Sequence, residues 1–338
     1  MAARQPEVIQ VLDRFRAQLL DREEEQFREM AKRWLGVERA LEARMRDISV
    51  TAAERGIFTL SQLERWDRYT ELLRQVRDEV GRYADVVGAE IARQQIDILG
   101  LSIEASREAL SAVGVTVAAG FNSVKTSAVR DMVGLLADGT PLTKLLRASW
   151  ADGAAAMTGA LIRNTALGVN PRKTAAEMRR EVGGSLDRML RIARTEQLRV
   201  SREATRESYQ KSGAVRGYRR HAAVGSLRTC AACLIEDGRL YRLDEPFIEH
   251  VNGRCCLIPT TDIVDVQWTR GKQWLLAQPP EVQREILGPG RFDGWKAGKF
   301  SLEDIPKVHA DETWGDSLQV RSLRELLGEP PQQARKQA

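Results

Sequence analysis

The chain has 338 residues, 43% hydrophobic and 29% charged, with 52 Lys or Arg against 47 Asp or Glu. This is a soluble globular composition, long enough for two or three domains and a sizeable core, and the net charge of +5 is too small to name a partner. The N-terminus, MAARQPEVIQVLDRF, has no apolar run of signal-peptide length, and the longest uncharged apolar stretch, between Glu108 and Lys125, is too short to span a bilayer. A reducing cytoplasm is therefore the expected place of synthesis, which counts against disulfides.

Residues 6 to 48 read as one long charged helix. Pro6 sits in its first turn, and Ile9, Leu12, Phe15, Leu19 and Leu20 recur at helical spacing. A break at Gly56 leads to a second long helix, about 60 to 95, with a stripe of Leu63, Trp66, Tyr69 and Leu73. Residues 96 to 130 are richer in Ala and Val, as in helices buried in a bundle. Gly139-Thr140-Pro141 predicts a turn and Thr143 to Arg163 a helix. Asn170-Pro171 predicts a helix start, with Asn as cap and Pro at the first helical position.

The helix from about 185 to 211 carries two stripes. Leu186, Leu190, Ala193, Val200 and Ala204 form the apolar one, and Arg188, Arg191, Arg199, Arg202 and Arg206 a basic one on another face. Ten Lys or Arg stand against three Glu between 191 and 230, a surplus larger than the whole chain's net charge. The basic stripe is either a solvated face, partly neutralised by neighbours such as Glu203, or a surface for the phosphates of double-stranded DNA, bound without sequence preference. After Gly213 short alternating runs such as RLYRL, broken by Gly, Asp and Pro, predict hairpins and loops. Beyond about 263 the pattern turns helical again, with Trp268, Trp274, Trp295 and Trp314, and with Ser301 and Asp304 spaced as a capping box. The tail GEPPQQARKQA reads as frayed or disordered.

All four cysteines fall between Cys230 and Cys256. Cys230 and Cys233 form C-x₂-C, His250 follows after sixteen residues, and Cys255 after four more. Two pairs of soft or borderline ligands in this order suit a tetrahedral zinc site, and four filled positions make it structural rather than catalytic. The competing readings are small buried hydrophobes or a redox pair. A nucleophilic cysteine lacks a family signature around Cys230. GPGRFDG at 288 to 294 lacks the ending of a phosphate loop, and HVN at 250 to 252 is a weak hint of a nuclease.

RIARTEQLRVSREA, LRTCAACLIEDGRLY and EHVNGRCCLIP together resemble, in order and spacing, the Mu F-like family of phage head morphogenesis (minor head) proteins over about 160 to 262. Arg194, Thr195 and Glu196 match its first element. Thr229, Cys230, Cys233, Asp237 and Gly238 match the second, and His250, Asn252, Arg254 and Cys255 the third. The chain departs from the pattern at His221 and Ser226, where members often have Trp and Asp. It departs again at Gly253, in place of the first Cys of the closing motif, and in the added Cys256. The resemblance implies a non-enzymatic virion component, located inside the head near the portal and associated with portal, scaffold and capsid proteins and packaged DNA.

The expected fold is α+β and mainly α. A helical partner-binding arm spans 1–155, a small metal-clipped helix-plus-hairpin domain 156–262, and a helical C-terminal region 263–338. The arm's stripe at Leu63, Trp66 and Leu73 either docks on another head protein or a second copy of the chain, or packs internally. The contrasting functional class is a metal-stabilised nuclease or nucleic-acid-processing enzyme.

Overall fold

A computed structural model of the chain describes residues 6–117, 129, 132–136, 139–227, 229–311 and 315–328. Trp314, the tail from 329 and part of the 96–130 stretch lie outside them. Helix dominates, and the named strands all follow residue 214, so the chain is α+β and mainly α as its sequence predicts.

Three helices are long: α1 (Glu7–Arg55), α3 (Asp67–Ala112) and α6 (Pro171–Ser212). The break after α1 falls where expected, with Gly56 in the left-handed region at φ +63°. It leads to the short α2 (Leu60–Glu64), opened by a reciprocal capping box between Thr59 and Gln62. The second long helix, expected from about 60 to 95, is broken at Arg65 and Trp66 and starts at Asp67, and it does not stop near 95, because nothing in IDILGLSIEASREAL breaks it. The single helix expected from Thr143 is two, α4 (Leu142–Ala148) and α5 (Trp150–Ala166), parted at Ser149. The start of α6 is as predicted: the Asn170 side-chain oxygen accepts from the Arg172 amide at 2.9 Å.

The chain divides into two compact units, and each of the three long helices contributes to both. One, Leu19–Asp97 with Ser127–Gln197, is helical. Its α1 segment buries Met30, Trp34, Val37, Leu41, Met45 and Ile48, and α3 buries Tyr69, Leu72, Val76, Val80, Ala84 and Val87, each at three-four spacing. Trp34 and Tyr83 meet edge to face with centroids 5.0 Å apart, and the Tyr83 hydroxyl donates to the Met30 carbonyl at 2.7 Å. α5 and α6 touch at Gly153, where a Cβ would lie 2.5 Å from Ser185 Oγ and 3.1 Å from the Val182 carbonyl. Leu63 and Trp66 are buried in this unit and Leu73 half-buried, so their stripe serves the unit's own core.

The other unit, Met1–Gln18 with Ile98–Thr126 and Leu198–Ala338, mixes helix and sheet. Its sheet is antiparallel in the order β2 (Leu240–Arg242), β1 (Val215–His221), β3 (Cys256–Thr261), with Tyr218 opposite both Tyr241 and Pro259. The end of α6 is tied to the sheet by Tyr209, whose buried hydroxyl donates to the Leu257 carbonyl at 2.8 Å. The start of α1 is tied to it by Arg16, which donates to the Arg254 carbonyl at 3.2 Å and the His221 carbonyl at 3.0 Å. Further along come α7 (Ala231–Ile235), α8 (Gly271–Leu276), α9 (Pro280–Leu287) and α10 (Pro289–Lys296). The predicted capping box at Ser301 and Asp304 forms, but it opens only a 3₁₀ turn, Leu302–Asp304. Pro306 follows too soon for a helix, and a hairpin of β4 (Pro306–Asp311) and β5 (Gly315–Val320) takes its place, before α11 (Leu323–Leu326).

Candidate metal centre

The C-x₂-C stretch caps a helix. Cys230, extended at φ −68° and ψ 153°, is the N-cap of α7, and its sulfur accepts from the Cys233 amide at 3.4 Å. Thr229 holds the approach by donating its hydroxyl to the Ala223 carbonyl at 2.7 Å. Asp237 anchors the exit: one oxygen accepts from the Ala222 amide at 2.7 Å, the other from Trp268 Nε1 at 3.0 Å and the Gly271 amide at 2.8 Å. Gly238 follows at φ +87°, where a side chain would be strained.

The closing motif is a turn. Asn252 adopts φ +67°, a conformation Asn tolerates better than most residues, and the Gly253 amide donates to the His250 carbonyl at 2.9 Å. This turn brings His250 Nε2 to 3.3 Å from Cys230 Sγ. His250 Nδ1 lies 2.7 Å from the Val251 carbonyl, which fixes the tautomer that leaves Nε2 free for a ligand.

The donor atoms form two overlapping groups, each with its atoms within 4.8 Å of one another: Cys230, Cys233 and His250, and Cys233, Glu249 and Cys255. In a tetrahedral zinc site, bond lengths of about 2.3 Å to sulfur and 2.0 Å to nitrogen put ligand atoms roughly 3.3 to 3.8 Å apart. The Cys230–His250 separation meets that, and the soft donor set suits the metal. All four residues of the predicted site thus lie in these groups. Cys256 opens β3 opposite His221, and it is grouped with neither set.

Two charged residues that the spacing did not reveal are central. Glu249 is buried, with Oε1 3.4 Å from Cys233 Sγ and 3.0 Å from the His250 amide, and Oε2 3.1 Å from Arg220 Nη1. Arg220 is fully buried, stacks 4.2 Å over the Phe247 ring, and donates to the Tyr241 hydroxyl and the Ile248 carbonyl. The alternation of β1 carried a signal, since Arg220 shares a face with Tyr218. Nothing in the spacing marked Glu249 beyond its place beside His250.

The cluster sets its own charges. Burial works against ionisation of Glu249, but the Arg220 and Arg202 guanidiniums hold its carboxyl down at about 2. The hydrogen bond from Cys233, followed by those of His250, brings the Cys230 thiol down to about 5, while the same Cys233 contact pushes the Cys233 thiol up. Burial lowers His250, yet the hydrogen bond and charge of Cys230 outweigh it and raise the imidazole to about 9. Cys230 is therefore held as a thiolate beside a protonated His250, and a metal ion at this site would have to displace that proton.

The five arginines of the basic stripe have different surroundings. Arg188 is ion-paired with Asp152, and Arg191 is exposed. Arg199 is half-buried. Arg202 donates to the Gly253 carbonyl at 3.1 Å and packs on Phe247 at 5.8 Å. Arg206 pairs with Glu203 at 2.7 Å and donates to the Leu243 carbonyl at 3.1 Å. Arg194 pairs with Glu23 at 2.6 Å and covers the Phe27 ring at 4.7 Å, while Thr195 donates to the Arg191 carbonyl and Glu196 is buried. These three motif residues belong to the helical unit.

Residues 156–258 match the family described as phage Mu protein F like protein. This stretch is Mu F-like. The matched stretch includes the named residues of all three sequence motifs, from Arg194 to Cys255, and the whole of α6. No curated protein and no solved structure matches the chain. No helix among the described residues is long and apolar enough to cross a membrane.

Proposed function

We propose that the protein is a phage minor head component, acting in head morphogenesis with portal, scaffold or capsid proteins rather than as an enzyme. The observation that carries this reading is the Mu F-like match over 156–258, whose Cys-x-x-Cys and His-x-Asn segments bring Cys230, Cys233 and His250 into one donor group. A cluster whose soft donors are mostly occupied with one another suits a structural zinc ion that orders a loop-rich segment. In this reading the protein sits inside the head near the portal, and duplex DNA is a non-specific partner. Exposed Arg191 is the member of the basic stripe best suited to meet phosphate.

Mass spectrometry and labelling of purified heads test the reading: the protein should be present in few copies at the portal vertex. Metal analysis of protein purified without chelator should find about one zinc per chain. A purified chain that nicks duplex DNA with Mg²⁺ or Mn²⁺, and is absent from heads, would replace this reading by the nuclease one.

A further inference from the structure

Cys233 belongs to both donor groups, and the atoms that reach it from the second group include a carboxylate oxygen. Glu249 Oε1 is 3.4 Å from Cys233 Sγ and 3.7 Å from His250 Nε2, so it touches two of the three donors in the first group. Those separations, with 3.3 Å between Cys230 and His250, fall near three of the six edges of a tetrahedron built from sulfur, nitrogen and oxygen ligands at about 2.0 to 2.3 Å from zinc.

Two further features fit Glu249 to a ligand's role. Arg220 takes Oε2 at 3.1 Å and holds the carboxylate so that Oε1 is the oxygen presented to sulfur, as a partner beyond the metal commonly does for a coordinating carboxylate. Gly253 makes room for it. A Cβ there would lie 2.3 Å from both Cγ and Cδ of Glu249 and 2.5 Å from Oε1, so any L-residue would push the carboxylate away from the thiols.

We propose that Glu249, not Cys255, is the fourth ligand, giving a site of two thiolates, one imidazole and one carboxylate from Cys230, Cys233, His250 and Glu249. The inference rests on the zinc reading above. Cys255 then remains a buried neighbour in the apolar cluster with Ala222, Ala232 and Leu318.

X-ray absorption at the zinc edge of the full-length wild-type chain is the direct test. Two sulfur scatterers at about 2.3 Å and two nitrogen or oxygen scatterers near 2.0 Å are expected. Three sulfurs with one lighter ligand would overturn the assignment of Glu249 while leaving the metal reading intact. Protein with no zinc would overturn both. Cys255→Ser should keep the metal and an unchanged sulfur count, whereas Glu249→Gln should weaken zinc binding more than tenfold in a competition titration with a chromophoric chelator. A sulfur count that falls in Cys255→Ser refutes the proposal even if Glu249→Gln fails to fold.

Discussion

The helical unit and the mixed unit are held by different chemistry. In the first, long stripes of Leu, Val, Ile and Met meet at regular spacing, and each fully buried side chain contributes about 1.5 to 3 kcal/mol by leaving water. Some polar groups there pin one helix to another, as Tyr69 does with its hydroxyl 2.5 Å from Thr158 Oγ1. The mixed unit also has apolar clusters, but its centre holds Arg220, Glu249, Arg202, His221 and three buried cysteines. Its order therefore depends on each charged or sulfur group having its partner. Damage to one stripe residue should be graded, and damage to one member of the charged centre should spread.

On the zinc reading proposed above, the largest expected effect comes from removing the metal or the shared donor Cys233. Structural zinc contributes roughly 10 kcal/mol or more of apparent folding free energy in small domains. Cys233→Ser should therefore unfold the sheet and the 220–262 loops, while far-ultraviolet circular dichroism retains most of its helical signal. Loss of helix and sheet in a single transition would show that the two kinds of region are not separable in this way.

Next in size is Arg220→Met. The Arg220–Glu249 pair has side chains 0% and 3% exposed, and breaking a buried pair from one side typically costs about 3 to 5 kcal/mol. Urea denaturation should show that loss in the mixed unit. A cost below about 1 kcal/mol would mean that the guanidinium is replaceable packing over Phe247 and Tyr241.

Leu72→Ala probes the other kind of region. Leu72 is fully buried in the helical unit, and large-to-small core changes cost about 2 to 5 kcal/mol. Zinc content should be unchanged, because the loss is local packing. A fall in bound zinc in step with the loss of stability would contradict the contrast between the units.

What was legible in the sequence follows the same division. Apolar spacing marked the long helices, since period and burial coincide at positions such as Tyr69, Leu72 and Val76, but it ran on through the break at Arg65 and Trp66. It did not say whether that stripe meets a partner or the chain's own core, because spacing marks a face without naming what covers it. Four donors of the cluster were legible as Cys and His at metal-ligand spacing. Glu249 and Arg220 were not, because a buried charge looks like any surface charge until the fold pairs it. The β4–β5 hairpin was hidden by a genuine capping box, which marks where a helical turn starts but not how long it runs.

The smallest predicted effect is a pH dependence at His221. The imidazole is 3% exposed, with Nε2 3.0 Å from an Asp13 oxygen and Nδ1 buried. Burial depresses its pKa below the usual 6.5; the hydrogen bond that the imidazole donates to Asp13 and the charges of Asp237 and Asp13 oppose this, and Arg16 reinforces it. A folded-state value below the unfolded one means that the unfolded chain binds the proton more readily. His221 therefore contributes stability that is fully present above about pH 6.5 and is lost as the pH falls towards its folded value, by up to about 1.4 kcal/mol per unit of depression. Thermal melts between pH 7.5 and 5.5 should show this slope, and His221→Gln should flatten it without changing zinc content. A slope that survives the substitution would assign the acid sensitivity to the metal ligands instead, since their protonation also releases the ion. The zinc content of the same samples separates the two, because His221 is in neither donor group.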